Sequence, residues 1–245
     1  MTGMLASVSN SNEAQIALEE SVDIIDLKDP AHGTLGAVTT EIALDIVELV
    51  SGQCLVSATI GDLPMQATLI GQAISTMAST GVDIIKVGMF DELTDDVIAV
   101  IKEQAINGAR CEDDMQFSIV IVLFVDKRLD LELISVLAAA GVRGVMLDTA
   151  DKSKGNLRTH MREKEIKEFV EQAKSYGLLT GLAGSLSIGD IAPLLELAPD
   201  YLGFRGALCQ DNCRTQLIDS SAVRKVRSLV TNIREESIHV KAGIQ

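Results

Sequence analysis

The stretch Val82-Asp83-Ile84-Ile85-Lys86-Val87 is a short apolar strand pattern that carries a lysine near its carboxyl end. Two other stretches repeat the arrangement: Asp23-Ile24-Ile25-Asp26-Leu27-Lys28 and Val145-Met146-Leu147-Asp148, the latter followed closely by Lys152. A buried strand is expected to be apolar throughout, because an isolated charge out of water costs several kcal/mol. Charge that recurs at the carboxyl ends of such strands therefore predicts a shared polar site. Asp26 and Lys28 are two residues apart, so they share one face of their strand.

Working outward, apolar and β-branched runs recur at about 4–8, 22–27, 54–59, 82–87, 117–124, 143–148, 178–183 and 200–204. Helical patterns lie between them, at about 11–20, 40–51, 65–80, 94–107, 129–140, 163–176, 187–197 and 219–233. Eight such units in 245 residues predict a (β/α)8 TIM barrel rather than an open doubly wound sheet. No linker divides the chain, so residues 1–245 are expected to form one barrel domain, with a frayed polar tail after about 233. Gly81, Gly141 and Gly177 follow helical patterns, where a left-handed residue is wanted, and Ser11, Thr39 and Ser187 are positioned to cap helix starts. The most irregular stretches are 29–38, 108–116 and 151–161. The first and third follow charged strand ends, on the face where barrels build active sites.

Composition narrows the function. The apolar share is 47%, aromatics are 3% and Trp is absent, so Ile, Leu, Val, Ala and Met must build the core. A formal net charge of −14 argues against nucleic acid and anionic membranes as partners. It leaves room for a small phosphorylated substrate held by a few lysines. No apolar run reaches the length of a membrane span, and residues 1–8 lack a signal-peptide core. Cys54, Cys111, Cys209 and Cys213 show no framework spacing, so a cytosolic protein with reduced thiols is expected. Neither the cysteines nor His32, His160 and His239 make a metal-binding pattern, and no cofactor is expected. An oligomer is left open, since no heptad pattern specifies one.

Lys28 fits a Schiff-base lysine, whose amine becomes reactive when burial and neighbouring cations lower its pKa. The alternative is a lysine that has left the sheet for solvent. Lys86 lies among Ile84, Ile85 and Val87; it can bind phosphate, polarise a carbonyl or act as a second amine, or instead form a structural ion pair with Asp26 or Asp148. Asp26 and Asp148 are candidate acid–base carboxylates, although Asp148-Thr149 can also simply begin a turn. Lys152 and Lys154 compete for one loop role. Two late loops, Ala183-Gly184-Ser185 and Arg205-Gly206-Ala207, follow the seventh and eighth strands, where barrels often bind phosphate. Gly184, Ser185, Arg205, Gly206 and Ala207 are the expected phosphate contacts; otherwise the glycines serve turns and Arg205 pairs with a surface carboxylate. Asp62, before Pro64, shapes a turn or touches substrate.

Taken together, DIIDLKDPAHGTLGA, VSATIGD, GVDIIKVGMF, MLDTADKSKG, LAGSL and GFRGALC resemble the (5-formylfuran-3-yl)methyl phosphate synthase family from about Leu5 to Arg227. The resemblance implies a TIM-barrel lyase that condenses two molecules of glyceraldehyde 3-phosphate on the way to methanofuran-type carriers. It also implies that Lys28 is the Schiff-base lysine, Asp26 its neighbouring carboxylate, Lys86 the second essential lysine, Asp148 the strand-six aspartate and Lys152 the lysine four residues later. The competing expectations are another class I aldolase acting on sugar phosphates and a non-catalytic barrel that binds a phosphorylated metabolite.

Overall fold

The computed structural model describes residues 2–109, 117–127 and 129–242. Eight strands alternate with helices: β1 Gly3–Val8, α1 Ser11–Glu19, β2 Ile24–Leu27, α2 Thr40–Val50, β3 Leu55–Thr59, α3 Ala67–Ala78, β4 Ile84–Gly88, α4 Asp95–Ala109, β5 Ser118–Phe124, α5 Leu133–Ala139, β6 Gly144–Asp148, α6 Leu157–His160, α7 Glu163–Ser175, β7 Leu179–Leu182, α8 Ile188–Glu196, β8 Tyr201–Phe204 and α9 Ser220–Ala242. The strands close in sequence order, and β8 returns to β1 through the pairs Gly3–Tyr201 to Ala6–Phe204. All pairings are parallel, as the (β/α)8 expectation requires.

Alternation along the strands divides the core in two. Ile25, Leu27, Ile85, Val87 and Leu147 face outward into the layer between barrel and helices. Leu5, Ile24, Ile84, Val120, Met146 and Tyr201 face inward and fill the barrel floor. Each buried aliphatic side chain contributes roughly 1.5–3 kcal/mol of transfer free energy, so both faces hold the strand register. The inward parity continues upward from Ile24 to Asp26, from Ile84 to Lys86 and from Met146 to Asp148. The charges that mark the strand ends thus stand on top of an apolar plug.

Local signals explain most boundaries. Gly81, Gly141 and Gly177 take φ of +82°, +81° and +74°. Thr39 caps α2 through the N–H of Ile42, 3.4 Å away. Ser11 is not a cap: Asn10 performs that role, accepting from the N–H of Glu13 at 3.0 Å. Ser187 precedes α8, and Asp190 accepts from its N–H and Oγ at 2.9 and 2.7 Å. The fifth helix starts at Leu133 rather than near 129, because the Asp130 carboxylate accepts from the N–H of Glu132 and fixes a turn. The irregular stretch 151–161 contains the short α6, capped by Asn156. The last helix runs on to Ala242, past the expected end near 233. Cys111 and the other residues of 110–116 lie outside the described residues. No described helix is long and apolar enough to cross a membrane.

Candidate active site

The carboxyl ends of the strands enclose a cavity of about 590 Å³. Its floor is apolar, with Leu5 and Met146, and its walls carry Asp26, Lys28, Lys86, Asp148 and Lys152. Small residues on β7, β8 and just beyond leave the room. Gly203 lies so close to Met146 that a Cβ there would stand 2.9 Å from the Met146 methyl carbon.

Asp26 is fully buried and accepts three bonds. Lys86 Nζ is 2.6 Å from Oδ1, Ser57 Oγ donates to Oδ1 at 2.6 Å, and Ser7 Oγ donates to Oδ2 at 2.8 Å. Strands β1, β3 and β4 thus each send one inward side chain to a single carboxylate on β2. Burial by itself would push the Asp26 carboxyl up; the Lys86 and Lys28 ammoniums and the bonds from Lys86 and Ser57 outweigh it and hold it below the usual range. The ion-pair alternative for Lys86 is therefore realised, inside the site.

Asp148 repeats the arrangement across the cavity. Its Oδ1 bonds Lys152 Nζ, which also donates to Thr149 O at 2.6 Å. The same oxygen accepts from the N–H of Thr149 at 2.7 Å, so the turn role and the ion pair coexist. Burial opposes ionisation here too, but Lys152 first and then Lys28 hold the Asp148 carboxyl low. Lys154 points away: it is exposed and pairs with Asp151 at 3.2 Å.

Lys28 stands between these two pairs. It is 7% exposed, and its ammonium has no ion-pair or hydrogen-bond partner among the described residues. Burial lowers its pKa to about 8; Asp148 and Asp26 pull it up, while Lys152 and Lys86 push it further down. A buried amine with that pKa, open to a cavity, is roughly one-tenth neutral at pH 7, far more than an ordinary lysine, and can add to a carbonyl.

The two late loops meet at the same mouth. Gly184 and Ser185 take φ of +105° and +51°, and they precede Ser187 and the start of α8. A Cβ at Gly184 would stand 3.1 Å from the Thr149 backbone nitrogen, so the loop is also packed tightly against the end of β6. The N–H groups of Gly184, Ser185, Gly206 and Ala207 make no bond to another described group. Successive unpaired N–H groups of this kind suit a phosphate. Arg205 lines the cavity, but its guanidinium is committed elsewhere. It donates to Glu13 at 2.5 and 3.1 Å, to Ser7 O at 3.1 Å, to Arg214 O at 2.8 Å and to Gln216 O at 3.0 Å. Those bonds use all five donors. The pairing alternative for Arg205 is thus realised, with a buried carboxylate in place of a surface one.

Neighbouring loops are clipped by carboxylates. Asp62 accepts from the N–H groups of Thr34 and Leu35 at 2.7 and 2.6 Å, which fastens the loop after β2. Asp126 accepts from Ala150 and Asp151 at 2.6 and 2.7 Å, which fastens the loop after β6. His32 is exposed and pairs with Asp29 outside the cavity. Cys54, Cys209 and Cys213 are free thiols. Sequence reasoning missed Ser7, Ser57, Glu13 and Arg214. The first two carried a usable signal, a hydroxyl at inward parity inside an otherwise apolar strand.

Comparison with known proteins gives a consistent result. The family model described as 4-HFC-P synthase matches residues 4–227. A provisionally named (5-formylfuran-3-yl)methyl phosphate synthase of Methylorubrum extorquens is 40% identical over 220 residues, covering 90% of this chain and 88% of that protein. The (5-formylfuran-3-yl)methyl phosphate synthase of Methanothermobacter thermautotrophicus is 34% identical over 235 residues, covering 93% of this chain and 98% of that protein. Among solved structures, a 3-hexulose-6-phosphate synthase superposes with a TM-score of 0.66 at 16% identity, covering 93% of this chain and 100% of that one. At that identity the likeness speaks for the barrel alone.

Proposed function

Since the chain belongs to the 4-HFC-P synthase family, we propose that it is a (5-formylfuran-3-yl)methyl phosphate synthase that joins two molecules of glyceraldehyde 3-phosphate through an imine on Lys28. The observation that carries this reading is the state of Lys28: a buried amine with its pKa lowered to about 8, between two carboxylate–lysine pairs and facing a cavity.

The chemistry follows from the placement. The neutral Lys28 amine adds to the carbonyl of one triose phosphate, directly or after isomerisation to the ketone, and water leaves as the imine forms. The protonated imine withdraws electrons from the adjacent carbon, so a proton there becomes removable. Lys86 and Asp26 assist that proton transfer and the departure of phosphate. The resulting nucleophilic carbon attacks the aldehyde of the second triose phosphate. Asp148 and Lys152 assist dehydration and ring closure, and hydrolysis of the imine frees the furan and the lysine. Atoms balance when one phosphate and two waters leave from two triose phosphates. The N–H groups of Gly184, Ser185, Gly206 and Ala207 hold phosphate.

Borohydride trapping with glyceraldehyde 3-phosphate, followed by peptide mapping, tests the scheme. A substrate-dependent adduct on Lys28 is expected. Turnover without any adduct sinks the covalent step, and near-normal turnover by Lys28→Ala does the same. An adduct on Lys86 reverses the roles of the two amines.

A further inference from the structure

Apart from Lys28, whose amine is the proposed nucleophile, Arg214 differs from the other cations of the cavity. Lys86 is paired with Asp26, Lys152 with Asp148 and Arg205 with Glu13. Arg214 lines the same cavity and has no carboxylate partner among the described residues. Its one hydrogen bond there runs from Nη2 to Gly33 O, at 3.1 Å. The remaining donors of its fork are unassigned. The side chain is nevertheless half-buried, and burial holds its guanidinium below the usual arginine range despite the attraction of Asp148. A partly desolvated cation without a counter-charge is unfavourable on its own, and an anion in the cavity relieves it.

The position is also built. Arg205 donates to the carbonyl oxygens of Arg214 and Gln216, so the buried Glu13–Arg205 pair fixes the backbone that carries the Arg214 side chain. Gly206 and Ala207, whose N–H groups are unpaired among the described residues, line the same cavity. A planar fork of N–H donors beside free backbone N–H groups matches the oxygens of a phosphate monoester.

We infer that Arg214 is the side-chain ligand of a substrate phosphate, which it holds together with the N–H groups of Gly206 and Ala207. The inference rests on the phosphorylated-substrate reading above. Arg205 is then a positioning residue that acts through Arg214.

Arg214→Gln and Arg214→Lys test it in the full-length protein. The first readout is calorimetric binding of inorganic phosphate; the second is the ratio of borohydride trapping rates with glyceraldehyde 3-phosphate and with unphosphorylated glyceraldehyde. Loss of a charge-assisted contact is expected to weaken phosphate binding and to lower that ratio by roughly ten- to hundredfold in Arg214→Gln, with KM changing more than kcat. Arg214→Lys recovers part of both. Phosphate binding that is absent from the wild type, or unchanged in Arg214→Gln, overturns the assignment. If the wild type forms no imine with either aldehyde, the proposed reaction fails, and the phosphate comparison still decides the role of Arg214.

Discussion

Replacing the Lys28 amine by an apolar side chain of similar length is expected to abolish turnover and to stabilise the fold. Burial lowers the Lys28 pKa from 10.5 to about 8 in the folded chain. At any pH below about 8 the lysine is protonated in both states, and folding then carries a cost of roughly 3 kcal/mol relative to a neutral side chain. Between about 8 and 10.5 the unfolded chain binds more protons than the folded one, so the stability of the wild type rises with pH and the cost fades. At pH 9.5 the same two pKa values leave about 1.4 kcal/mol. Lys28→Met removes the whole effect while Asp26 keeps Lys86 and Asp148 keeps Lys152. For a chain of this size the gain corresponds to a rise in Tm of about 6–12 °C at pH 7, falling to less than half of that at pH 9.5. Thermal or urea unfolding of both proteins at the two pH values measures it. A destabilised variant at pH 7, or a difference that does not change with pH, refutes the low pKa and with it the basis for the reactive amine.

Two further outcomes follow from the surrounding network. Ser57→Ala removes a bond to the buried Asp26 carboxylate and is expected to cost about 1.5–3 kcal/mol near neutral pH. Because the folded pKa of Asp26 is depressed, its stabilisation is complete above the usual carboxylate range and is lost as pH falls through the folded value. In Ser57→Ala the folded pKa lies closer to the unfolded one, so that loss is smaller and is complete at higher pH; urea midpoints followed from pH 7 to pH 3 show it, and an unmoved acid limb counts against the bond. Glu13→Gln leaves Arg205 buried without its counter-charge and is expected to cost roughly 3–5 kcal/mol, while the apolar double replacement of Glu13 and Arg205 recovers much of the stability. KM for the phosphorylated substrate stays raised in the double variant, since the carbonyls of Arg214 and Gln216 remain unclamped; a normal KM there leaves the pair a purely structural role.

The parts of the site that were legible in the sequence are those set by parity along one strand. Asp26 and Lys28 share a face, Lys86 interrupts an apolar strand, and each position needs only its immediate neighbours to be read. The hydroxyls of Ser7 and Ser57 were invisible as a pair because their common partner is chosen by register between strands, and a serine in a strand has many ordinary uses. Arg205 was expected to reach for phosphate because its loop is in the right place. Its fate depends on Glu13, at the far end of the chain, which becomes its neighbour only when β8 pairs with β1. The helices were legible wherever apolar spacing was sustained, and they shifted where a single side chain such as Asn10 or Asp130 seized a backbone N–H.

The placement of Lys28 ties its reactivity to the completion of the barrel. Its burial and the cations that depress its pKa come from both halves: Lys86 from the fourth strand, and Lys152 from the loop after the sixth. A nascent or partly assembled chain carries an ordinary lysine at this position, with only about three amines in ten thousand unprotonated at pH 7, against roughly a tenth in the closed form. Reactive aldehydes therefore meet an ordinary lysine until the elements that carry Lys86 and Lys152 have packed around it. The chain acquires its low-pKa amine as the structure that buries it forms.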